Sequence, residues 1–397
     1  MNRPVAILHP LCAALALACA LAACAPADGG AGAEGSRGAP SASPSPSGAA
    51  PFVAPIPISL PVSAPSEGSV VTFENAVDHL SEIPEAAWTN IQNAIEANEP
   101  VDIETRILIG PKTNTTLEQI EELLLREYRL WAGFTQPSSY VGLVYNAEDV
   151  AWAESTWATL VDEEDYGVEA AAYLSQLRAG CEIGVSCWGG MTEVFPGSSK
   201  GFSFYGVEEP WWTPANQNVG SMSQVNHEYT HNVQFAQWIG SDEDRTRAAQ
   251  AVMPCWWAEG QANAIGIGTW APTFAVYESA RDYNVTRPIN ANGPQPRLTA
   301  FSAKALDTFL DQDPSTCFDP GTNGDYQLGY SVGFAAVEAL VAVGGPQATM
   351  AVVARAASGD TWSEAFETVY GITWQEGRRY LADILAAEYA ADPLRSS

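Results

Sequence analysis

The stretch NHEYTHN, residues 226–232, most constrains what this chain can fold into, because it contains two of only four histidines in 397 residues. His227 and His231 stand one helical turn apart, so on an α-helix both imidazoles project from the same face. At this spacing, two ring nitrogens can reach one metal ion at about 2.0–2.1 Å. Glu228 projects about 100° further round the helix, where its carboxylate can accept a proton from water. The pattern predicts a metal-binding helix with an adjacent general base.

The flanking residues indicate where this helix lies and what else it needs. Val225, Tyr229 and Val233 are apolar at helical spacing, which is typical of a helix packed in the interior. The competing interpretation is a buried helix whose two histidines are satisfied by hydrogen bonds. A catalytic zinc site needs three protein ligands, and no histidine follows His231. The candidates for the third ligand are therefore carboxylates. One of them is Glu259, which lies in PCWWAEGQANAIG on a second predicted helix. The alternative is that Glu259 is a surface residue of that helix.

Together, HEYTH at 227–231 and WWAEG at 256–260 resemble the two motifs of the gluzincin zinc peptidases, HExxH and WxxEG. The resemblance implies a Zn²⁺ cofactor bound by His227, His231 and Glu259. It also implies that Glu228 is the general base and that the substrate is a peptide or protein.

Two further residues follow from the same resemblance, which extends from about residue 221 to the end. DYQLGYSVGFAAVEALVAVGG resembles the Tyr-x-x-Gly segment of aminopeptidase-N-type gluzincins, which implies that Tyr326 stabilises the oxyanion, with Tyr330 as the alternative. In thermolysin-like sites, an Asp four residues after the glutamate ligand orients the first histidine, and this chain departs from that pattern. Asn263 stands at that position and is expected to accept a hydrogen bond from the imidazole.

The N-terminal segment has the features of an export signal. Residues 1–23 contain an apolar, alanine- and leucine-rich run typical of a signal peptide. The run ends in LAAC, which resembles the bacterial lipobox and implies acylation of Cys24; the alternative is an ordinary signal peptide with an incidental cysteine. Residues 24–66 are a tether of Ala, Pro, Ser and Gly that cannot bury enough apolar surface to fold. We expect an exported lipoprotein, anchored through Cys24 to the outer face of the cell membrane.

The charge balance limits the partners. With 47 acidic and 18 basic residues, the net charge is −29 at pH 7. Because binding to phosphate backbones depends on basic surface, nucleic acid is excluded as a partner.

Four of the seven cysteines lie beyond the signal and the lipobox. An exported domain favours two disulfides among them, with three possible pairings. We expect Cys181–Cys187, which closes a short loop, and Cys255–Cys317. A zinc knuckle is the alternative, but no CxxC spacing supports it.

The remaining chain divides into two predicted regions. Residues 67–240 mix helices with strand-like segments, such as VDIETRILIGP and YVGLVYN, and include the HExxH helix. Residues 241–397 are almost entirely helical. We therefore expect an α+β, zincin-like fold, with a sheet-containing N-terminal lobe, a helical C-terminal lobe and the zinc site in the cleft between them.

Two functions other than catalysis are compatible with these motifs. The first is a binding or adhesion lipoprotein that retains a metal without catalysis; such a protein is expected to lack the base, whereas Glu228 is present. The second is a structural envelope protein in which the motif is incidental.

Overall fold

The computed structural model describes residues 71–164, 173–174, 177–178, 181–182, 186–187, 189–195, 198–207, 220–238, 245–285, 298, 300–312 and 328–391. The predictions for the signal peptide, the tether, Cys24, Cys317 and Tyr326 concern residues outside these ranges. Within them the fold is α+β, as expected, with a mixed four-stranded sheet and twelve α-helices.

The strands are β1 Glu104–Ile109, β2 Ser139–Tyr145, β3 Cys181–Glu182, β4 Ser186–Cys187, β5 Gly190–Val194 and β6 Lys200–Gly206. The helices are α1 Ile83–Ala97, α2 Leu117–Leu130, α3 Val150–Glu164, α4 Gly220–Ala236, α5 Arg245–Val252, α6 Cys255–Trp270, α7 Phe274–Val285, α8 Ala303–Leu310, α9 Phe334–Gly344, α10 Pro346–Ala357, α11 Trp362–Tyr370 and α12 Trp374–Ala391. A 3₁₀ turn, Ala76–His79, precedes α1, and a π-helix, Gly329–Gly333, leads into α9.

The main sheet has the strand order β1-β2-β6-β5. β1, β2 and β6 are parallel, whereas β5 runs antiparallel to β6 and forms an edge. β2 and β6 are almost wholly buried because helices cover both faces of the sheet, which is usual for parallel strands. β3 and β4 form a separate two-stranded ribbon that is closed by the predicted disulfide between Cys181 and Cys187.

Two hydrophobic clusters flank the sheet. The smaller cluster packs α3 on one face, where the Trp157 ring lies 5.0 Å from Phe202 and 4.9 Å from Phe204. The larger cluster joins the other face to α1, α2, α4, α6 and the C-terminal helices. The first helix is therefore packed among helices from the far end of the chain, and Asn90 Nδ2 donates to the carbonyl oxygen of Val341 at 2.9 Å.

The region 241–397 is helical as expected, but two of its helices, α5 and α7, have no clear apolar period in the sequence. α5 has the sequence RTRAAQAV, in which polar residues and alanines leave no distinct apolar face. α7 presents Arg281 to the interior, where the guanidinium pairs with Glu338 and Glu388. Because a charged residue occupies a buried position, the apolar stripe that would have revealed the helix is interrupted.

Within the described residues, no single helix is both long and apolar enough to cross a membrane. One pair, residues 329–344 and 346–357, passes that test only when the two helices are joined across a bend of 105°, and both helices are largely buried in the core.

Candidate metal centre

The predicted motif forms α4, and this helix is buried from Val225 to its last residue, Ala236. Val225, Tyr229 and Val233 are fully buried, so the apolar face is in the core as expected. The spacing of His227 and His231 places their rings 4.8 Å apart, centroid to centroid, on the side facing α6.

α6 supplies the third group of the site, the carboxylate of Glu259. Gly266 allows the close approach of the two helices, because a Cβ at this residue would lie 2.8 Å from the backbone nitrogen of His227. Glu259 is in the second turn of α6 and is 6% exposed, which excludes the surface interpretation of this residue. The structure thus brings together His227, His231 and Glu259, the three residues named as ligands from the sequence.

The three groups form a nearly equilateral triangle. The two Nε2 atoms are 3.2 Å apart, and Glu259 Oε2 lies 3.5 Å from Nε2 of His227 and 3.4 Å from Nε2 of His231. Ligands at 2.0–2.1 Å from a tetrahedral zinc ion stand about 3.3–3.4 Å apart. Glu259 Oε2 is also buried and makes no hydrogen bond within the part of the chain that the structure describes. The donor set and its dimensions therefore fit a metal ion of the size of zinc.

Asn263 fixes the orientation of the first histidine. Its Nδ2 donates to the carbonyl oxygen of Tyr330 at 2.9 Å, which leaves Oδ1 facing His227 Nδ1 at 3.1 Å. Because an amide oxygen only accepts, Nδ1 of His227 bears the proton and Nε2 presents a lone pair to the centre of the triangle. The expected role of Asn263 thus agrees with its contacts.

The ionised forms of Glu259 and His231 stabilise each other in the metal-free site. Burial alone would raise the pKa of Glu259, but His231 and His227 outweigh this effect and hold that pKa well below its usual range. Burial alone would lower the pKa of His231, but the Glu259 carboxylate raises it to about 9. Glu259 is therefore ionised at neutral pH and supplies a negative charge to the site.

Glu228 lies beside the triangle and is not part of it. Burial raises the pKa of its carboxyl group, and the charges of the two histidines oppose the rise. The carboxylate occupies space next to Gly190 on the edge strand β5, where a Cβ would lie only 2.5 Å from Glu228 Oε1. The absence of a side chain at Gly190 therefore leaves room for the carboxylate of Glu228. The sequence motifs alone did not reveal this role of Gly190.

Tyr330, the alternative to Tyr326, is next to the cluster. Its ring stacks on that of His227 with a centroid distance of 5.9 Å and an interplanar angle of 11°. It belongs to the π-helix, which approaches α6 so closely that a Cβ on Gly333 would lie 2.2 Å from the carbonyl oxygen of Trp256. Short π-helical segments are frequent at functional sites.

Cys255, the first residue of α6, is disulfide-bonded. Since Cys181 and Cys187 are bonded to each other, neither of them is its partner. The predicted partner, Cys317, lies outside the described residues.

Comparison of the chain with protein-family models, with curated proteins and with solved structures finds no match.

Proposed function

We propose that the chain is a zinc-dependent peptidase of the gluzincin type, with His227, His231 and Glu259 as the zinc ligands. The observation that supports this most is the triangle of two Nε2 atoms and one carboxylate oxygen with sides of 3.2, 3.4 and 3.5 Å. Zinc bound there supplies a Lewis acid that polarises a carbonyl group and makes water a stronger acid.

Glu228 is the general base in this proposal. It lies one residue after the first ligand, and its buried carboxylate is close enough to both histidines for their charges to act on it. The carboxylate accepts a proton from the attacking water and then gives it to the leaving amine.

Tyr330 is the candidate for the oxyanion donor within the described residues, whereas Tyr326, the residue that the resemblance implies first, lies outside them. Its ring is held over His227, and its backbone carbonyl is tied to Asn263, the residue that orients the same histidine. A hydroxyl group positioned in advance beside the reacting carbonyl stabilises the negative charge that develops on the oxygen. Tyr326 remains the alternative assignment.

The arrangement of the sheet supports a zincin-like fold and a peptide substrate. β5 is an antiparallel edge strand that packs against α4, and Gly190 at its start adjoins Glu228. An extended peptide that pairs with such an edge would pass the base and the metal ligands. The LAAC sequence at Cys24 supports export and lipid anchoring, so we propose envelope or extracellular proteins as substrates.

Two measurements test the proposal. Metal analysis of the purified protein should give about one zinc per chain, and a metal-free preparation that does not take up zinc would refute the metal centre. Glu228→Gln should retain zinc but lose cleavage of an unbiased peptide library. If its cleavage profile equals that of the wild type, the chain is not a peptidase that uses this base. Tyr330→Phe and Tyr326→Phe, compared side by side, decide the oxyanion donor by which of them lowers kcat.

A further inference from the structure

The second histidine, His231, is connected to a buried row of side chains that the zinc motifs do not include. Its Nδ1 lies 2.7 Å from Gln234 Oε1, and Gln234 Nε2 donates to Gln261 Oε1 at 2.7 Å. Gln261 Nε2 donates in turn to Thr349 Oγ1 at 2.8 Å, and Thr349 donates to the carbonyl oxygen of Pro346 at 2.7 Å. Gln234, Gln261 and Thr349 are all fully buried.

Backbone carbonyls at two points determine the direction of this row. A carbonyl oxygen only accepts, so the Thr349 hydroxyl must donate to Pro346, and its oxygen must accept from Gln261. Gln234 Nε2 also donates to the carbonyl oxygen of Ala258 at 3.1 Å. The reverse orientation of Gln234 would place two acceptor oxygens in contact in a buried environment, which costs about 1–3 kcal/mol.

The direction of the row determines the protonation of His231. With Gln234 Nε2 turned to Ala258 and Gln261, its Oε1 faces the imidazole and can only accept. When the imidazole of His231 is neutral, as a metal ligand must be, its proton therefore resides on Nδ1, and Nε2 is the atom available to a metal.

We propose that Gln234, Gln261 and Thr349 are positioning residues for the metal centre: anchored at Pro346, they hold His231 in the tautomer and orientation that bind zinc. The proposal rests on the proposed zinc site. It differs from the contact between Asn263 and His227, because it links the second ligand to the first turn of α10.

Zinc affinity, measured by competition with a chelator, tests this role. Gln234→Met keeps the length of the side chain but removes its hydrogen bonds, and we expect zinc to bind about 10–100-fold more weakly. Gln237→Met is the matched control: Gln237 is also buried and donates to the carbonyl oxygens of Thr135 and Val233, without any link to His231. If Gln234 had only a structural role, Gln234→Met and Gln237→Met should have similar stability without metal and equal zinc affinity.

Two further readouts cover the case in which Gln234→Met does not fold. Thr349→Val removes the hydroxyl that anchors the row and should weaken zinc binding, whereas Thr349→Ser should restore it. In zinc-loaded wild-type protein, ¹⁵N NMR should show the proton of His231 on Nδ1.

Wild-type affinity in Gln234→Met, or in Thr349→Val if the first variant is unfolded, overturns the proposal and leaves the proposed function intact. A proton of His231 on Nε2 also overturns it. Failure of the wild-type protein to bind zinc would instead refute the proposed function.

Discussion

Replacement of Gly260 by alanine should push apart α6 and the π-helix, the two segments that support the metal centre. Gly260 directly follows the ligand Glu259 on α6, and it contacts the backbone of Gly333 at the end of the π-helix. A Cβ at this position would lie 2.3 Å from both the carbonyl carbon and the carbonyl oxygen of Gly333. Because these are backbone atoms, no side-chain rotation can relieve the contact.

The magnitude follows from this distance. Non-bonded carbon atoms approach to about 3.5 Å, so the segments must separate by roughly 1.2 Å. Overpacking of this kind costs about 1–3 kcal/mol of folding free energy. The shift would also move the π-helix and with it Tyr330, and a displacement of about 1 Å in a catalytic group can lower kcat on the order of 100-fold.

Gly268→Ala is the control. Gly268 lies on the same helix, and its added Cβ would also be 2.3 Å from a neighbour, but that neighbour is the terminal Cδ1 of Ile91, which can rotate away. Both substitutions gain about 1 kcal/mol of helix propensity, so the difference between them isolates the backbone contact. Urea unfolding should show Gly260→Ala less stable than Gly268→Ala by about 1–3 kcal/mol. Equal free energies of unfolding for the two variants would refute the reasoning.

Two other predictions concern buried carboxyl groups. Burial raises the pKa of Glu127 from 4.5 to about 8, although the indole of Trp131 donates to it. A folded-state pKa above the unfolded value makes ionisation destabilising, so stability should fall between about pH 4.5 and 8, by on the order of 4 kcal/mol. Glu127→Gln should flatten this dependence in urea titrations at pH 5 and pH 9, and an unchanged slope would contradict a neutral Glu127. Gly190→Ala introduces a Cβ 2.5 Å from Glu228 Oε1, and a side-chain carboxylate can move away. We expect near wild-type stability and zinc affinity but a kcat lowered by about 10–100-fold; a wild-type kcat would show that this contact does not position the base.

Local spacing was sufficient to predict much of the fold and part of the site. Helices and strands with a clear apolar period were found where expected, because the period reports which face is buried. The placement of His227 and His231 on one face follows from the 3.6 residues per turn of a helix. The absence of any histidine after His231, together with the WWAEG resemblance, selected Glu259 before any contact was known.

The tertiary structure decided which distant groups complete these local features. The order β1-β2-β6-β5 places an edge strand and Gly190 against Glu228, although no local pattern relates the two residues. Tyr330 reaches His227 because glycines in the π-helix and in α6 let two backbones touch.

The hydrogen bond from Gln261 to Thr349 joins residues 88 positions apart and exists only because α10 packs near α6. Helical spacing determines which side chains share a face, but it is the packing of one helix on another that determines what that face meets. For this reason the sequence alone defined the chemistry of the proposed metal ligands, and only the tertiary structure decided which residues hold them in place.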